Sequence, residues 1–281
     1  MPELPEVETI RRGLADRLIG DQIRSVDVRV AKMFVGSPDL ILHTPITAVR
    51  RIAKVLIIDF ANHQSLIIHL KMTGQLIYVH GKEVAVGGHP EKAYEKPLPH
   101  QYTHIIYHLK SGAVLYYNDL RKFGWHKVWP TAEIVTKLGP EFAGMDILSP
   151  TFTVDYFAGY LKLRPKRPVK ELLMDQRHLA GLGNIYAAEA LWQAKIKPDR
   201  QAQSLTKAEQ TALYEAIKAV IKLSLIHGGS SFNSYRNAAG EQGSFLQYAA
   251  VYKKTTDPLG HPVERLKQAG RTTYFCPLCQ R

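Results

Sequence analysis

The sequence predicts an α+β protein of more than one domain, with a β-sandwich first, a helical region second and a short hairpin-containing unit last. Three observations lead to this fold class. Residues 23–129 hold many short runs of β-branched and aromatic residues separated by turn signals. The pattern changes near residue 130, and residues 151–227 show helical spacing. The length of 281 residues is enough for two domains.

The chain begins with an acidic, proline-containing segment that leads into a helix. Residues 6–14 place acids in the first turn, basic residues next, and an apolar stripe of Val7, Ile10 and Leu14. The segment lacks the basic start and apolar run of a targeting peptide. Chain ends are usually frayed, but a terminus joined directly to a helix can be held in a site.

Seven runs after this helix are predicted to be strands: Ile23 to Val30, Ile46 to Ile52, Val55 to Phe60, Ser65 to Leu70, Leu76 to Val79, Thr103 to Leu109 and Ala113 to Tyr117. Residues 81–101 contain a Gly-Gly pair and three prolines, which predict a mobile loop.

A capping box at Thr206–Glu209 opens a long amphipathic helix, and Gly228–Gly229 end it. A loop from Ser230 to Gly243 and a short C-terminal unit follow.

Composition indicates an anionic partner. Lysine and arginine number 37 against 25 acids, a net charge of +12, which favours nucleic acid. No apolar run reaches membrane-spanning length, so no membrane partner is expected. The chain has only two cysteines and no secretory signal, which favours the cytoplasm.

The first residues can carry covalent chemistry. Removal of Met1 would expose the secondary amine of Pro2 beside the carboxylate of Glu3. Such an amine can attack a sugar carbon and form an iminium intermediate. An ordinary α-amine has a pKa of about 8, so roughly a tenth is neutral at pH 7. Lys54 could contact a phosphate or lower the pKa of this amine, or could be an ordinary surface lysine.

Two loop tips carry side chains suited to entering a duplex. Met72 follows one predicted strand, and Arg121, Lys122 and Phe123 follow another. Apolar wedges and arginine can replace a base that has left the stack. The alternatives are ordinary core positions for Met72 and Phe123 and a solvated face for the two basic residues.

A glycine-containing turn lies between two helical segments at Gly181–Ala187. Asn184 could cap the following helix, whose N-terminus would suit a phosphate. The alternative is a tight helix–helix corner without a ligand.

Cys276 and Cys279 have the spacing of half a zinc knuckle. A four-cysteine site is impossible because the chain has no other cysteine. His261 is the nearest further ligand candidate, and Asp257 is a weaker one. Arg271 lies at or near the tip of the hairpin predicted just before this pair.

These motifs together resemble bacterial formamidopyrimidine-DNA glycosylase, the repair enzyme that removes 8-oxoguanine and ring-opened purines from DNA. The resemblance spans nearly the whole chain. It rests on five segments in order: Pro2–Thr9, His69–Gly74, Asp119–Gly124, Gly181–Tyr186 and Arg271–Cys279.

The resemblance implies three parts. Residues 2–130 would be a catalytic β-sandwich domain with a leading helix. Residues 131–228 would be a helix–two-turn–helix DNA-binding domain. Residues 229–281 would hold a lesion-capping loop and a finger-like β-hairpin.

The resemblance also implies a mechanism. Pro2 would attack C1′ of the damaged nucleoside, Glu3 would transfer protons and Lys54 would assist DNA contact and catalysis. The base would leave, and β,δ-elimination would cut the strand on both sides of the sugar. The partner would be damaged double-stranded DNA, bound by a monomer in the bacterial cytoplasm and nucleoid, with no cofactor required for the chemistry.

The remaining roles also come from the resemblance. Met72, Arg121 and Phe123 would fill the void left by the flipped base. Asn184 and Arg271 would contact phosphates. Glu6 and the segment from Ser230 to Gly243 would contact the lesion.

The sequence departs from the family in the finger. The family usually has two Cys-x-x-Cys pairs, but only the second is present here, as Cys276 and Cys279. A segment containing Asp257 and His261 replaces the first pair. Zinc, which the family implies, is therefore doubtful, and the hypothesis is a metal-free hairpin that still presents Arg271.

Two alternatives stay open at this stage. An endonuclease VIII-like glycosylase would use the same proline chemistry on oxidised pyrimidines, but Leu4 and the long loop after Gly229 favour the purine enzyme. A catalytically idle DNA-binding relative would also fit the charge, but intact Pro2, Glu3 and Lys54 oppose it.

Overall fold

A computed structural model describes residues 2–88, 91–229 and 245–281. Its contacts divide the chain into two compact units, one drawn from residues 1–139 and 227–244 and the other from residues 140–226 and 245–281. The three domains expected from the sequence, residues 2–130, 131–228 and 229–281, remain a prediction. Within the described ranges, no helix has the length and apolar character that a membrane span requires.

The first unit begins with helix α1 (Leu4–Leu18) and contains helix α2 (Ile134–Leu138) near its end. Between them lie ten strands: β1 (Ile23–Val28), β2 (Phe34–Val35), β3 (Ile46–Ile52), β4 (Val55–Phe60), β5 (Gln64–His69), β6 (Gly74–His80), β7 (Glu83–Gly88), β8 (Thr103–Leu109), β9 (Val114–Asp119) and β10 (Trp125–Pro130). They form two five-stranded sheets with the orders β1-β8-β9-β6-β7 and β2-β10-β5-β4-β3.

The two sheets share one apolar core, which confirms the predicted β-sandwich. Leu56 and Ile68 enter it from one sheet, and Leu76 and Tyr107 enter it from the other. Every second residue of a strand faces the same side of its sheet, so Leu56, Ile58 and Phe60 of β4 all enter this core.

Helix α1 packs against β3 and β7, the edge strands of the two sheets. It therefore covers two edges that would otherwise offer unpaired backbone groups. Leu4, Val7 and Leu14 bury its apolar side. Gly87 in β7 allows the close approach, because a Cβ there would lie 2.4 Å from Cγ1 of Ile10.

The prediction of a loop over residues 81–101 was wrong for part of this range. Residues Glu83–Gly88 form strand β7, which pairs antiparallel with β6. The Gly-Gly pair ends a strand here, because Gly88 has φ +125° and a Cβ would lie 2.4 Å from the Gly74 carbonyl oxygen. The helix predicted over residues 6–14 is present but longer, beginning at Leu4 and ending at Leu18.

The second unit is mainly helical, as predicted. It contains α3 (Val154–Leu163), α4 (Val169–Leu173), α5 (Asn184–Gln193), α6 (Lys207–Ile226), α7 (Phe245–Tyr248), the short strands β11 (Met145–Asp146) and β12 (Leu179–Ala180), and the hairpin strands β13 (Glu264–Gln268) and β14 (Arg271–Phe275). The predicted capping box before α6 is present. Thr206 N donates to Glu209 Oε2 at 2.8 Å, and Glu209 N donates to Thr206 Oγ1 at 3.2 Å.

A buried carboxylate joins α5 to the start of the C-terminal segment. The side chain of Glu189 accepts backbone N–H bonds from Ala250, Val251 and Tyr252 at 2.6, 3.0 and 2.7 Å. The three bonds lower the pKa of Glu189, but burial has the larger effect and raises it above its usual value. The chain before the hairpin is thus fixed to helix α5 by a side chain that no motif indicated.

We expect Glu189→Ala to lower the free energy of unfolding by roughly 2–4 kcal/mol, because buried N–H groups would lose their acceptor. Glu215→Ala, at an exposed position of α6, is the control and should change it by less than about 0.5 kcal/mol. Urea unfolding of both variants measures the difference. Equal effects from the two substitutions would contradict the structural role of Glu189.

Candidate active site

The chain start is folded into the protein. Pro2 and Glu3 are both buried. Glu3 N donates to the Glu6 carboxylate at 2.7 Å, and Val7 N donates to the Glu3 carbonyl oxygen at 3.2 Å. These bonds fix Glu3 at the first turn of α1, where helix N–H groups need acceptors, and Pro2 is the residue directly before it. A terminus held in this way can serve as a reactive group of defined position.

Glu6 has a second neighbour at the other end of the unit. A Cβ at Gly229 would lie 2.9 Å from Glu6 Oε1, and Gly229 has φ +93°, so only glycine fits there without strain. Gly229 directly precedes the segment from Ser230 to Gly243 that the sequence predicts to contact the lesion. That segment lies outside the described residues.

An ionic cluster around the buried carboxylate of Glu8 joins α1 to β3. The Glu8 carboxylate accepts bonds from Arg11 at 2.9 Å, Arg12 at 2.8 Å and Arg51 at 3.2 Å. Arg51 also donates to the carbonyl oxygen of Ala53 at 2.6 Å. Burial alone would raise the pKa of Glu8, but the arginine hydrogen bonds and charges outweigh it and lower that pKa to about 2. Glu8 is therefore ionised over the whole neutral range.

This cluster positions the candidate lysine. Lys54 lies in the turn between β3 and β4, directly after Ala53, which has φ 52°. Only 6% of Lys54 is exposed, so it is not an ordinary surface lysine. The bond from Arg51 to the Ala53 carbonyl oxygen holds this turn, and Arg51 in turn is held by Glu8 of α1. The structure thus connects the helix that begins beside Pro2 and Glu3 to the turn that carries Lys54.

His69 shapes the first loop tip. Its Nδ1 accepts a bond from Lys71 N at 2.9 Å. Burial, with smaller contributions from the charges of Lys71 and Lys54, lowers the pKa of His69 to about 3. The imidazole is therefore neutral and acts as a hydrogen-bond acceptor at the turn that leads to Met72, of which 39% is exposed.

The buried carboxylate of Asp119 anchors both loop tips. It accepts bonds from the Thr73 hydroxyl, from Arg121 N at 3.2 Å and from Gly124 N at 2.8 Å. Thr73 follows Met72, so one carboxylate fixes the loop after β5 to the loop after β9.

The side chains above this anchor face solvent. The exposed fraction of Phe123 is 53%, and the Arg121 guanidinium lies 4.7 Å from the centre of its ring. The alternative of ordinary core positions for Met72 and Phe123 is therefore wrong. The structure brings Met72, Arg121 and Phe123 together on one buried support.

The second unit has its own cationic site. Lys170 is almost fully buried, and its Nζ donates to Asn184 Oδ1 and to Thr273 Oγ1, both at 2.6 Å. Asn184 Nδ2 donates to the Thr272 carbonyl oxygen at 2.9 Å. The sequence suggested Asn184 as a cap of α5, but Asn184 is the first residue of that helix and does not cap it. Its side chain is engaged by Lys170 and the hairpin, and Gly183 occupies the cap position.

A cavity of about 210 Å³ adjoins this lysine. Arg167, Lys170, Arg177 and Arg271 contribute to its lining. Arg271 is the first residue of β14, opposite Gln268 at the hairpin turn, as the sequence predicted. Glu171 and Asp175 line the cavity as well and pair with Arg167 and Arg177. Lys170 and Arg271 leave an excess of positive charge around the cavity, which suits an anion such as phosphate.

A third cluster lies beside the hairpin. One ligand atom from each of Asp257, His261, Cys276 and Cys279 lies within 4.8 Å of all the others. His261 Nδ1 and Asp257 Oδ2 lie 3.0 Å from the Cys279 sulfur. The carboxyl of Asp257, bonded to the thiol of Cys279, raises the pKa of that thiol to about 12. The donor set of two sulfurs, one nitrogen and one oxygen suits a zinc ion.

Sequence comparison covers all three regions. Profiles match the formamidopyrimidine-DNA glycosylase N-terminal domain over residues 1–126, the H2TH domain of the same enzyme over residues 143–236, and the zinc finger found in FPG and IleRS over residues 260–281. A formamidopyrimidine-DNA glycosylase of Herpetosiphon aurantiacus is 40% identical, and one of Streptococcus mutans is 36% identical, each with full coverage of both chains. The chain belongs to the formamidopyrimidine-DNA glycosylase family.

Solved structures of family members have the same fold. A Lactococcus lactis Fpg variant, crystallised with a Fapy-dG containing DNA, superposes with a TM-score of 0.86 at 30% identity over the whole of both chains. The MutM (Fpg) protein of Thermus thermophilus gives 0.84 at 36% identity and covers 99% of this chain and 98% of that one. The predicted helix–two-turn–helix region and C-terminal hairpin are therefore confirmed.

Three buried side chains that support the candidate site were not singled out from the sequence. Asp119 accepts a bond from Arg121 N, His69 from Lys71 N beside Met72, and Glu8 from Arg51, which holds the turn with Lys54. The motifs contained all three, since Glu8 lies within Pro2–Thr9 and the other two open the His69–Gly74 and Asp119–Gly124 segments. Their position within conspicuous motifs was the available signal.

The Glu8 cluster predicts a defined pH dependence of stability. The pKa of Glu8 falls from 4.5 to about 2 on folding, so its stabilisation is present above pH 4.5 and is lost as pH falls toward 2. We expect Glu8→Gln to lower the free energy of unfolding by about 1–3 kcal/mol at pH 7 and by much less at pH 3. Urea unfolding at both pH values checks this.

The control is Glu133→Gln, which alters an exposed ion pair with Lys137 and should change stability by less than about 0.5 kcal/mol at either pH. A Glu8 effect that is the same at both pH values would show that the cluster does not stabilise through the charge of this carboxylate.

Proposed function

We propose that this protein is a bifunctional DNA glycosylase and AP lyase of base excision repair, which removes 8-oxoguanine and formamidopyrimidines from duplex DNA. The observation that supports this most strongly is the burial and hydrogen bonding of the chain start, with Pro2 directly before Glu3 at the first turn of α1. Family membership agrees with this substrate class, because the relatives are named for formamidopyrimidine excision.

The chemistry needs a free amine at Pro2, which removal of Met1 supplies. The amine nitrogen forms a bond to C1′ of the damaged nucleoside while the bond from C1′ to the base breaks, and the base leaves protonated. The nitrogen then gives up its proton, the bond from C1′ to O4′ breaks with protonation of O4′, and the opened sugar is left as an iminium on Pro2. Glu3 is placed next to this nitrogen in the chain and transfers the protons. The resulting iminium acidifies the C2′ hydrogens, which permits elimination first of the 3′ phosphate and then of the 5′ phosphate. No cofactor enters these steps.

Lys54 is proposed to support this site as a buried cation. A positive charge near the amine favours its neutral, nucleophilic form, and the same charge suits a DNA phosphate. Its burial and the Glu8–Arg51 connection to α1 support the assignment.

The duplex is proposed to contact both units. Met72, Arg121 and Phe123 are exposed on the support formed by Asp119 and would occupy the space left by the extruded base. In the second unit, Lys170 connects Asn184 with the hairpin, and Arg271 adds to the cationic cavity for phosphate. Glu6 and the Ser230 to Gly243 segment are proposed to contact the flipped lesion. The monomeric state and the cytoplasmic location remain predictions.

Borohydride trapping tests the nucleophile. With Met1 removed, we expect a covalent adduct between Pro2 and a duplex that carries one 8-oxoguanine opposite cytosine. Protein with a residue retained before Pro2 should bind the duplex but give no adduct, because the nitrogen is then an amide. Lys54→Ala should slow trapping by about 100-fold or more, whereas Lys32→Ala, at an exposed lysine, should not.

The outcome separates three functions. An adduct on 8-oxoguanine mapped to Pro2 supports the proposal. An adduct that forms only on a thymine glycol duplex would replace it with an endonuclease VIII-like activity. Duplex binding without an adduct on either lesion would indicate a DNA-binding protein without catalysis.

Asp119→Asn tests the support beneath the loop tips. The new amide group would oppose one of the N–H donors that now bond the carboxylate, loosening the loop that carries Arg121 and Phe123. We expect excision of 8-oxoguanine to fall about 10-fold or more, with a smaller loss of cleavage at a preformed abasic site, where no base has to be extruded. Rates of both reactions are measured on the same enzyme preparation.

Asp155→Asn, at an exposed carboxylate of α3, is the matched control and should change neither rate. Equal losses on the two substrates for Asp119→Asn would indicate general unfolding rather than a role in base extrusion.

A further inference from the structure

We propose that this chain binds one zinc ion through Asp257, His261, Cys276 and Cys279. This set differs from the two Cys-x-x-Cys pairs that the family resemblance implies, and it opposes the metal-free hairpin predicted from the sequence. The zinc-finger profile begins at residue 260, so it includes three of these residues but not Asp257. The missing cysteine pair is replaced by a carboxylate and an imidazole.

Three of the four ligand atoms have separations close to those of a tetrahedral ion. Zinc bonds of about 2.0–2.3 Å imply separations between ligand atoms of roughly 3.3–3.8 Å. His261 Nδ1 lies 3.5 Å from Asp257 Oδ2, and both atoms lie 3.0 Å from the Cys279 sulfur. The fourth atom, the Cys276 sulfur, lies within 4.8 Å of each of the others, so the ion needs only local adjustment of these side chains.

The ligands are oriented by a second layer of hydrogen bonds. Asp257 Oδ1 accepts bonds from Leu259 N and His261 N, both at 2.9 Å, which leaves Oδ2 directed at the sulfur of Cys279. The indole of Trp192 donates to Oδ2 at 3.2 Å. Partners of this kind hold metal ligands in place and raise affinity for the metal.

Burial also suits a metal site. Asp257 is 5% exposed and Cys276 is fully buried. The sulfur of Cys276 accepts a bond from Cys279 N at 3.3 Å, an arrangement that brings both sulfurs of the Cys-x-x-Cys turn to one side. The cluster packs with Trp192 and Val251 beside the hairpin, so an ion there would fix the base of the strand that carries Arg271.

Metal analysis of the full-length protein is the decisive experiment. Protein from zinc-supplemented cells, dialysed against metal-free buffer, should contain one zinc per chain by mass spectrometry. Asp257→Asn keeps the acceptor for the two backbone N–H groups but replaces the ligand oxygen by an amide. Asp257→Asn and His261→Gln should each weaken zinc binding at least about 100-fold. His80→Gln, at an exposed histidine of the first unit, should retain full occupancy.

Cobalt substitution adds a readout of the ligand set. Cobalt in the wild-type protein should show the visible bands of tetrahedral coordination together with thiolate-to-metal charge transfer. Trp192→Phe should keep one zinc per chain but weaken its binding about 10-fold, because only the second layer is altered. Less than about a tenth of a zinc per chain in the wild type, or unchanged zinc affinity in Asp257→Asn and His261→Gln, would overturn the proposal. These readouts do not depend on glycosylase activity.

Discussion

The buried carboxylate of Glu8 is the interaction on which the first unit depends. It bonds three arginines, two in its own helix and Arg51 in β3, and Arg51 carries the connection on to the carbonyl oxygen of Ala53. A buried charge is tolerated only when it is paired and hydrogen-bonded. Because all parts of this cluster are satisfied together, the chain start and the turn with Lys54 are held by one set of bonds.

The same design recurs under the proposed DNA contacts. The exposed groups are the ones proposed to contact DNA, and a buried polar group beneath them fixes their loops. In the first unit, Asp119 bonds the loop backbones that carry Met72, Arg121 and Phe123. In the second unit, Lys170 bonds Asn184 and the hairpin. Side chains that must enter a duplex cannot be held by a core of their own. The loop backbone therefore has to be fixed from below, by groups that are satisfied only in one arrangement.

With the proposed zinc site, the hairpin would keep the metal of the family while two of its four ligands differ. Only two cysteines remain, yet the fold places a carboxylate and an imidazole beside them. The ligand cluster lies at the base of the hairpin, and Arg271 lies at its tip. A rigid base is what a two-stranded hairpin needs, since such a hairpin is at best marginally stable alone. The Lys170 bond to Thr273 and the Glu189 bonds to residues 250–252 support the same element from helices α4 and α5.

The sequence by itself determined the fold class, the capping box before α6, seven of the strands of the sandwich and the candidate residues Pro2, Glu3 and Lys54. These follow from local spacing or from motifs of consecutive residues. Only the tertiary structure decided the partners of Glu8 and Asp119, the bonding of Asn184 to Lys170 and the hairpin, and the inclusion of β7 in its sheet. It also placed Asp257 beside Cys279, 22 residues away in the chain. Such pairings depend on long-range packing, because buried polar groups find their partners only after distant segments have folded together.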